Sequence, residues 1–317
     1  MAESIRYQKL IEAARKLEPR ICAVAHPCDL ASLSAAVEAA RLGLFIPLLV
    51  GPKSRIESLA QTHDLDISPF QVIDTAHSHA SADRAVECVL QGRASLLMKG
   101  SLHTDELMHA VLEHQGGLRT ERRVSHVFIM DVPSYDELLF ITDAAINIAP
   151  SLETKADIVQ NAVDLHLGLD LGTPRVAILS AVEQVTSKIP STIEAAALCK
   201  MAERGQIRGG LLDGPLALDN AINPEAARVK GIQSEVAGRA QVLVVPDLEA
   251  GNMLAKNLTF LAGASAAGIV LGARVPIILT SRADSENTKL ASCAVAAIYA
   301  QHLAIARADV SDRVAYE

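Results

Sequence analysis

Apolar and polar residues follow one another along this chain in short blocks. Runs of four to six mostly apolar residues at 20–25, 45–50 and 95–98 each give way to a turn and then to an amphipathic stretch. The blocks predict strands at 20–25, 45–50, 70–73 and 95–98. Helices are predicted at 7–17, at 54–62, 81–91 and 106–114, and behind an Asp29 cap as far as Ala40. His26-Pro27 stops the first strand and Gly51-Pro52 the second. Strand and helix in turn at this spacing predict right-handed βαβ units and a mostly parallel sheet.

The pattern then changes. Two strand-like runs, 122–130 and 137–142, flank a turn with Pro133 and Ser134, which predicts an antiparallel excursion or a bridge between domains. A helix at 152–166 behind Ser151 follows. The alternation then resumes with strands at 175–180, 208–213, 242–246, 267–271 and 275–279. Helices fall at 191–204 and 250–262, and an alanine-rich terminal helix begins near Asn287. A chain of 317 residues exceeds what one hydrophobic core usually supports, so two domains are expected, with a boundary near Asn147 where the pattern changes.

Composition narrows the picture. Half the residues are hydrophobic but only 3% are aromatic, so the core must be built from Ala, Val, Leu and Ile, as in helices packed on parallel strands. A net charge of −8 argues against nucleic acid as a main partner. The first ten residues lack an apolar signal core, and no uninterrupted apolar run has spanning length. The chain therefore reads as soluble and cytoplasmic, with no membrane partner. Five scattered cysteines without a CxxC pair argue against a disulfide framework or a zinc site. Cys22, His26 and Cys28 are close enough in sequence to be weighed as metal ligands, but a closed structural zinc site needs four.

Polar clusters recur where apolar runs end: 99–105, 183–188, 213–220, 247–252 and 281–287. The carboxyl ends of parallel strands share one edge, so such clusters can converge on a ligand. The stretch 277–290 carries the densest cluster and reads two ways. It is a helix cap, made by Ser281 or Asp284 with Glu286 in the first turn, or a ligand-binding turn in which Arg282 holds a phosphate bidentately. Lys99, beside Gly100, is placed to reach an anion; His103 is a cap-region histidine or a ligand contact; His77 and His79 read as exposed loop residues. There is no GxGxxG after the first strand, no GxxxxGK[ST], no Gly-x-Ser-x-Gly and no HExxH, which leaves nicotinamide, P-loop, serine-hydrolase and zincin readings unsupported.

Several motifs carry a family resemblance. Leu97-Met98-Lys99-Gly100, Leu212-Asp213-Gly214-Pro215-Leu216-Ala217-Leu218-Asp219-Asn220-Ala221, Val244-Val245-Pro246-Asp247-Leu248-Glu249-Ala250-Gly251-Asn252 and Leu279-Thr280-Ser281-Arg282-Ala283-Asp284-Ser285 resemble the phosphate acetyl/butyryltransferases. Arg122-Arg123-Val124-Ser125-His126-Val127 and 141–147 are also similar to the phosphotransacetylase half of proteins fused to an enoyl-CoA hydratase. The resemblance implies two α/β domains with a cleft between them, as in isocitrate and isopropylmalate dehydrogenases. On that plan residues 1–146 and 274–317 form the first domain and 147–273 the second, which often mediates homodimers or higher homo-oligomers.

The implied reaction moves an acyl group between CoA and phosphate, with acyl-CoA, phosphate and acyl phosphate as partners, CoA as a substrate, and no metal or resident cofactor. The catalytic set it suggests is Ser281, Arg282 and Asp284, with substrate contacts from Lys99, His103, Thr104, Asp213, Asn252 and Lys256. Ser281 matches a donor to the tetrahedral oxyanion and Arg282 a cationic fork. Acetyl-type members carry an aspartate seven residues after the motif serine as thiol base. Here that position is Thr288, so Asp284 and Glu286 are the local replacements, and the motif looks more like the butyryl type. Two rivals stand beside this reading: a metal- and NAD-dependent hydroxyacid dehydrogenase of the same fold, using Asp213, Asp219 and Asp247, and a non-catalytic CoA sensor.

Overall fold

A computed structural model describes residues 4–113, 115–280 and 284–314. In chain order its elements are α1 (Ile5–Ala14), β1 (Arg20–Ala25), α2 (Leu30–Arg41), β2 (Phe45–Gly51), α3 (Lys53–Thr62), β3 (Gln71–Asp74), α4 (Ser78–Leu90), β4 (Leu96–Lys99) and α5 (Thr104–Leu112). Then come β5 (Ser125–Asp131), β6 (Leu139–Thr142), α6 (Leu152–Gly168), β7 (Arg175–Leu179), α7 (Pro190–Glu203), β8 (Leu211–Leu216), α8 (Leu218–Ile222) and α9 (Pro224–Val229). β9 (Val242–Val244), α10 (Leu248–Leu261), β10 (Ser265–Leu271), β11 (Ile277–Ile278) and α11 (Glu286–Val314) complete the order.

Two compact units result: Met1–Arg122 with Ala267–Glu317, and Arg123–Ala266. The sequence pattern places the first change near 146/147. The structure places it at 122/123, because β6 is hydrogen-bonded in parallel to β9 and draws β5 and β6 into the second unit. The return likewise comes at 266/267 rather than 273/274.

In the first unit the strands lie in the order β3-β2-β1-β4-β11-β10, parallel except for the antiparallel β10–β11 pair. Four consecutive positions of β1 and all of β4 are buried, as expected for strands covered on both faces. Asp29 caps α2 by accepting the Ser32 N–H at 2.8 Å, as its sequence position predicts. α4 starts earlier than predicted: His77 is its N-cap and His79 lies in its first turn, so neither is a loop residue.

α11 is long and apolar enough, by length and composition over Glu286–Arg307, to cross a membrane. It is mostly buried against α1, α2 and the strands. Its direction is set by two contacts. Near its start the Ser292 hydroxyl accepts the Gly268 N–H at 3.0 Å; about halfway along, the Arg20 guanidinium donates to Gln301 Oε1 at 2.6 Å. The helix therefore runs back against β1, β4 and β11.

The second unit has the order β5-β6-β9-β7-β8, parallel except for β5 with β6. β8 passes through Gly214-Pro215 instead of ending before it, so Asp213 lies within the strand and not in a cluster after it. On β5, His126 is wholly buried, edge-on to Phe128 at 4.4 Å, and both ring nitrogens lack a hydrogen-bond partner.

Burial pulls the His126 pKa down to about 3 from the ordinary 6.5. Between those values the unfolded chain binds a proton that the folded chain does not, so stability is lost as pH falls from about 6.5 toward 3. The slope from one such group is about 1.4 kcal/mol per pH unit. His126→Leu is expected to flatten this acid limb. Between pH 6.5 and 4.5 the wild type should lose about 2–3 kcal/mol more unfolding free energy than the variant, measured by urea denaturation at each pH. Parallel curves would remove His126 as the cause.

Candidate active site

In the first unit, the register brings three strand ends together. Ala25 of β1 pairs with Lys99 of β4, and Ile278 of β11 pairs with Met98. The residues that follow, His26, Gly100 and Leu279-Thr280, therefore leave the sheet at one edge, with neighbouring strands about 4.8 Å apart.

The first two of these turns are laced by backbone. Gly100 N–H donates to the Ala25 carbonyl at 2.9 Å. His26 takes a left-handed backbone (φ 56°), which turns its carbonyl to accept from Cys28 N–H at 2.8 Å, Ser101 N–H at 2.9 Å and the Ser101 hydroxyl at 2.9 Å. A Cβ on Gly100 would run into the carbonyl oxygens of Ala25 and His26, so only glycine fits this approach. Lys99, 8% exposed, folds its ammonium onto the carbonyls of Leu102 (3.1 Å) and Gly100 (3.3 Å).

The His26 ring is buried, with Nδ1 3.0 Å from Ser81 Oγ. The Ser81 hydroxyl also lies within donating distance of the His77 carbonyl, at 2.9 Å. Thr75 Oγ1 lies 2.8 Å away as a further partner. Burial, and next the Arg55 charge, lower the His26 pKa and favour its neutral form. Among the described residues no three His, Cys, Asp or Glu side chains converge, so neither Cys22, His26 and Cys28 nor Asp213, Asp219 and Asp247 are gathered into a cluster. Cys22 is wholly buried, its thiol pushed up by burial and by the nearby Cys293.

Ser281 and Arg282 lie outside the described residues. Ser285, rather than Asp284, caps α11: its hydroxyl accepts the Thr288 N–H at 3.2 Å and donates to Thr288 Oγ1 at 3.0 Å. Such a cap is worth about 1 kcal/mol. Asp284, directly before it, is half-buried. Thr288 is 5% exposed, and its carbonyl accepts the Ser292 hydroxyl at 3.0 Å. Thr288 is thus part of the helix start. His103 is the N-cap of α5, its N–H donating to Glu106 Oε2 at 3.3 Å, with an exposed side chain, and Thr104 opens the helix.

The second unit has its own polar edge, beyond β6 and β9. The buried Asp143 carboxylate accepts from the N–H groups of Ala145 (2.9 Å), Ile146 (3.1 Å) and Asn147 (3.0 Å), and from Asn147 Nδ2 (2.6 Å). Burial still raises its pKa, against these bonds. Asp247 caps α10 through the Ala250 N–H at 2.8 Å. Asn252 Nδ2 donates to the Ala144 carbonyl at 3.3 Å. Gly251 permits this approach, since a Cβ there would stand 2.9 Å from the Asp143 carbonyl oxygen. Lys256 is exposed one turn further along α10. Asp213 Oδ1 accepts the Gly214 N–H at 2.8 Å, away from this edge.

Residues 78–297 match the family described as "Phosphate acetyl/butaryl transferase". The chain belongs to this family. It is similar to the phosphate acetyltransferase of Rhizobium meliloti, with 67% identity over 299 residues, covering 94% of this chain and 95% of that one. Identity to the phosphate butyryltransferase of Clostridium acetobutylicum is 40% over 294 residues, covering 93% and 98%. Among solved structures, a branched-chain phosphotransacylase from Enterococcus faecalis superposes with a TM-score of 0.76 at 29% identity, covering 89% of this chain and 99% of that one. The α/β fold is that of the phosphotransacylases.

Within this family frame the first-unit edge unites Lys99, Thr104's turn and the residues that lead into Ser281, while Asn252 belongs to the second-unit edge. Sequence reasoning weighed His26 only as a metal ligand and passed over Lys289. The available signal for His26 was a His-Pro pair directly after a buried strand. Gly100→Ala is expected to cost about 3 kcal/mol, the upper range for overpacking against unyielding atoms. It should also displace Lys99 and Ser101, so that activity falls with stability. Chemical denaturation measures the loss, and an unchanged midpoint would mean the backbone has room after all.

Proposed function

We propose that this chain is a phosphate acetyltransferase, moving an acetyl group reversibly between CoA and inorganic phosphate. The observation that carries the reading is the 67% identity to a phosphate acetyltransferase over nearly the whole of both chains. In this scheme Asp284 accepts the CoA thiol proton and the thiolate sulfur adds to the carbonyl carbon of acetyl phosphate. Ser281 and neighbouring backbone N–H groups steady the tetrahedral oxyanion. The carbon–oxygen bond to phosphate then breaks, giving acetyl-CoA, and Arg282 holds the departing phosphate. CoA is a substrate, and no resident cofactor takes part.

Butyryl transfer is the second reading, favoured by Thr288 at the acetyl-type aspartate position. Pocket volume sets the acyl length, and one methylene is worth about 1–3 kcal/mol of discrimination. The deciding assay is phosphate-dependent CoA release from acetyl-, propionyl- and butyryl-CoA, with EDTA present. Turnover on acetyl-CoA with the highest kcat/KM supports the proposal; preference for butyryl-CoA moves it to the second reading, and no release from any of the three rejects both. Asp284→Asn should slow transfer at least 100-fold, about 2.7 kcal/mol in barrier, with Glu286→Gln close to wild type. Wild-type rates for Asp284→Asn would reassign the base.

A homodimer accompanies this proposal. Met253, Phe260 and Leu261 share one stripe of α10 and are 65%, 78% and 80% exposed, an apolar surface suited to a second copy. Light scattering on the wild type should give twice the chain mass and on Phe260→Glu the chain mass; a monomeric wild type would end the assignment.

A further inference from the structure

Lys289 stands in the second turn of α11, 8% exposed, its backbone N–H bonded to the Ser285 carbonyl at 3.1 Å. The other buried lysines have partners: Lys99 rests on carbonyls and Lys155 is paired with Glu194. Among the described residues the Lys289 ammonium has no hydrogen-bond or ion-pair partner. Its nitrogen is not sealed either, since the enclosed, unpaired side-chain nitrogens among the described residues belong to His126. Lys289 is thus largely buried with no counter-charge among the described residues. An accessible cation with no counter-charge beside it suits an anion that comes and goes.

The place of this cation is set by the helix. Ser292 contacts Gly268, and Gly268 precedes Ile269, the partner of Ile278, so the Ser292 turn lies level with the end of β11. Lys289, one turn earlier, stands beyond that end, above the edge where β1, β4 and β11 finish. Side chains in a helix lean toward its N-terminus, which carries the lysine further outward over the edge. The N-terminus of a helix of 29 residues adds its own attraction for anions at the same point.

We propose that Lys289 is a phosphate ligand at this strand edge, holding inorganic phosphate or the phosphoryl group of an acyl phosphate. The identity of the anion rests on the phosphotransacylase reading; the existence of an anion site does not.

The test uses the full chain with Lys289→Met, Lys289→Gln and Lys289→Arg. In the direction that consumes phosphate, the Met and Gln variants should raise KM for phosphate about tenfold or more, equivalent to about 1.4 kcal/mol. KM for acetyl-CoA should change less than about twofold. The Arg variant, which keeps the charge, should recover most of the loss. Independently of turnover, inorganic phosphate should raise the wild-type Tm relative to chloride of equal ionic strength, and Lys289→Met should lose that rise. An unchanged KM for phosphate with a retained phosphate-dependent Tm rise would overturn the proposal, as would equal losses toward both substrates. A chain that shows the Lys289-dependent Tm rise but releases no CoA would reject the acyltransferase reading and keep the anion site; turnover that is indifferent to Lys289 would do the reverse.

Discussion

The first-unit site depends on two backbone turns coming closer than any side chain allows. Gly100 lies against the carbonyls of Ala25 and His26, and that approach fixes the ends of β1 and β4 relative to one another. His26 takes a left-handed backbone to make it possible, a strain of about 1–3 kcal/mol. Its carbonyl gains three hydrogen bonds in return, each worth about 0.5–1.5 kcal/mol net, so the arrangement is stable without help from a ligand. The lysine and hydroxyl groups at this edge are thus placed by main-chain geometry, and their own flexibility matters little.

Polar groups in the two units divide into those the fold uses up and those it leaves over. The Asp143 carboxylate spends itself on four N–H donors of its own loop. Thr288 and Ser285 exchange hydrogen bonds at the start of α11, and Lys155 is neutralised by Glu194. Left over at the strand edge are the imidazole of His26, whose lowered pKa favours the neutral form, and the cation of Lys289. An imidazole and a cation close to one edge suit a reaction that handles a thiol proton and a phosphate charge together.

Much of the fold was legible from pattern alone, because apolar strands covered on both faces leave uninterrupted runs such as those of β1, β2 and β4. The caps at Asp29 and Ser151 were legible for the same reason: local hydrogen bonds need only local sequence. What escaped were features decided by pairing. β5 and β6 read as an antiparallel excursion or a bridge between domains; they do pair antiparallel, but their unit is settled by the β6–β9 ladder, between segments about a hundred residues apart. Asp213 read as the end of a strand and the start of the polar cluster after it, whereas its pairing with Ala177 holds it inside β8. The cap at Ser285 was hidden among five polar residues of similar capping strength, and the choice among them depends on where α11 first meets β10. Lys289 was invisible for a different reason, since a lysine in a helix is ordinarily solvated and only burial marks it out.

The order of strands also dictates an order of assembly. β11 lies between β4 and β10 in the first unit, yet it is made after the whole of the second unit, Arg123–Ala266. A ribosome therefore releases an uninterrupted second unit while the first still lacks an interior strand and its longest helix. Until β11 and α11 arrive, β4 has one unpaired side and the carboxyl edge is open. The first unit closes late, by long-range contacts that are slow to form. The residues proposed to complete the chemistry thus belong to the segment that completes the fold.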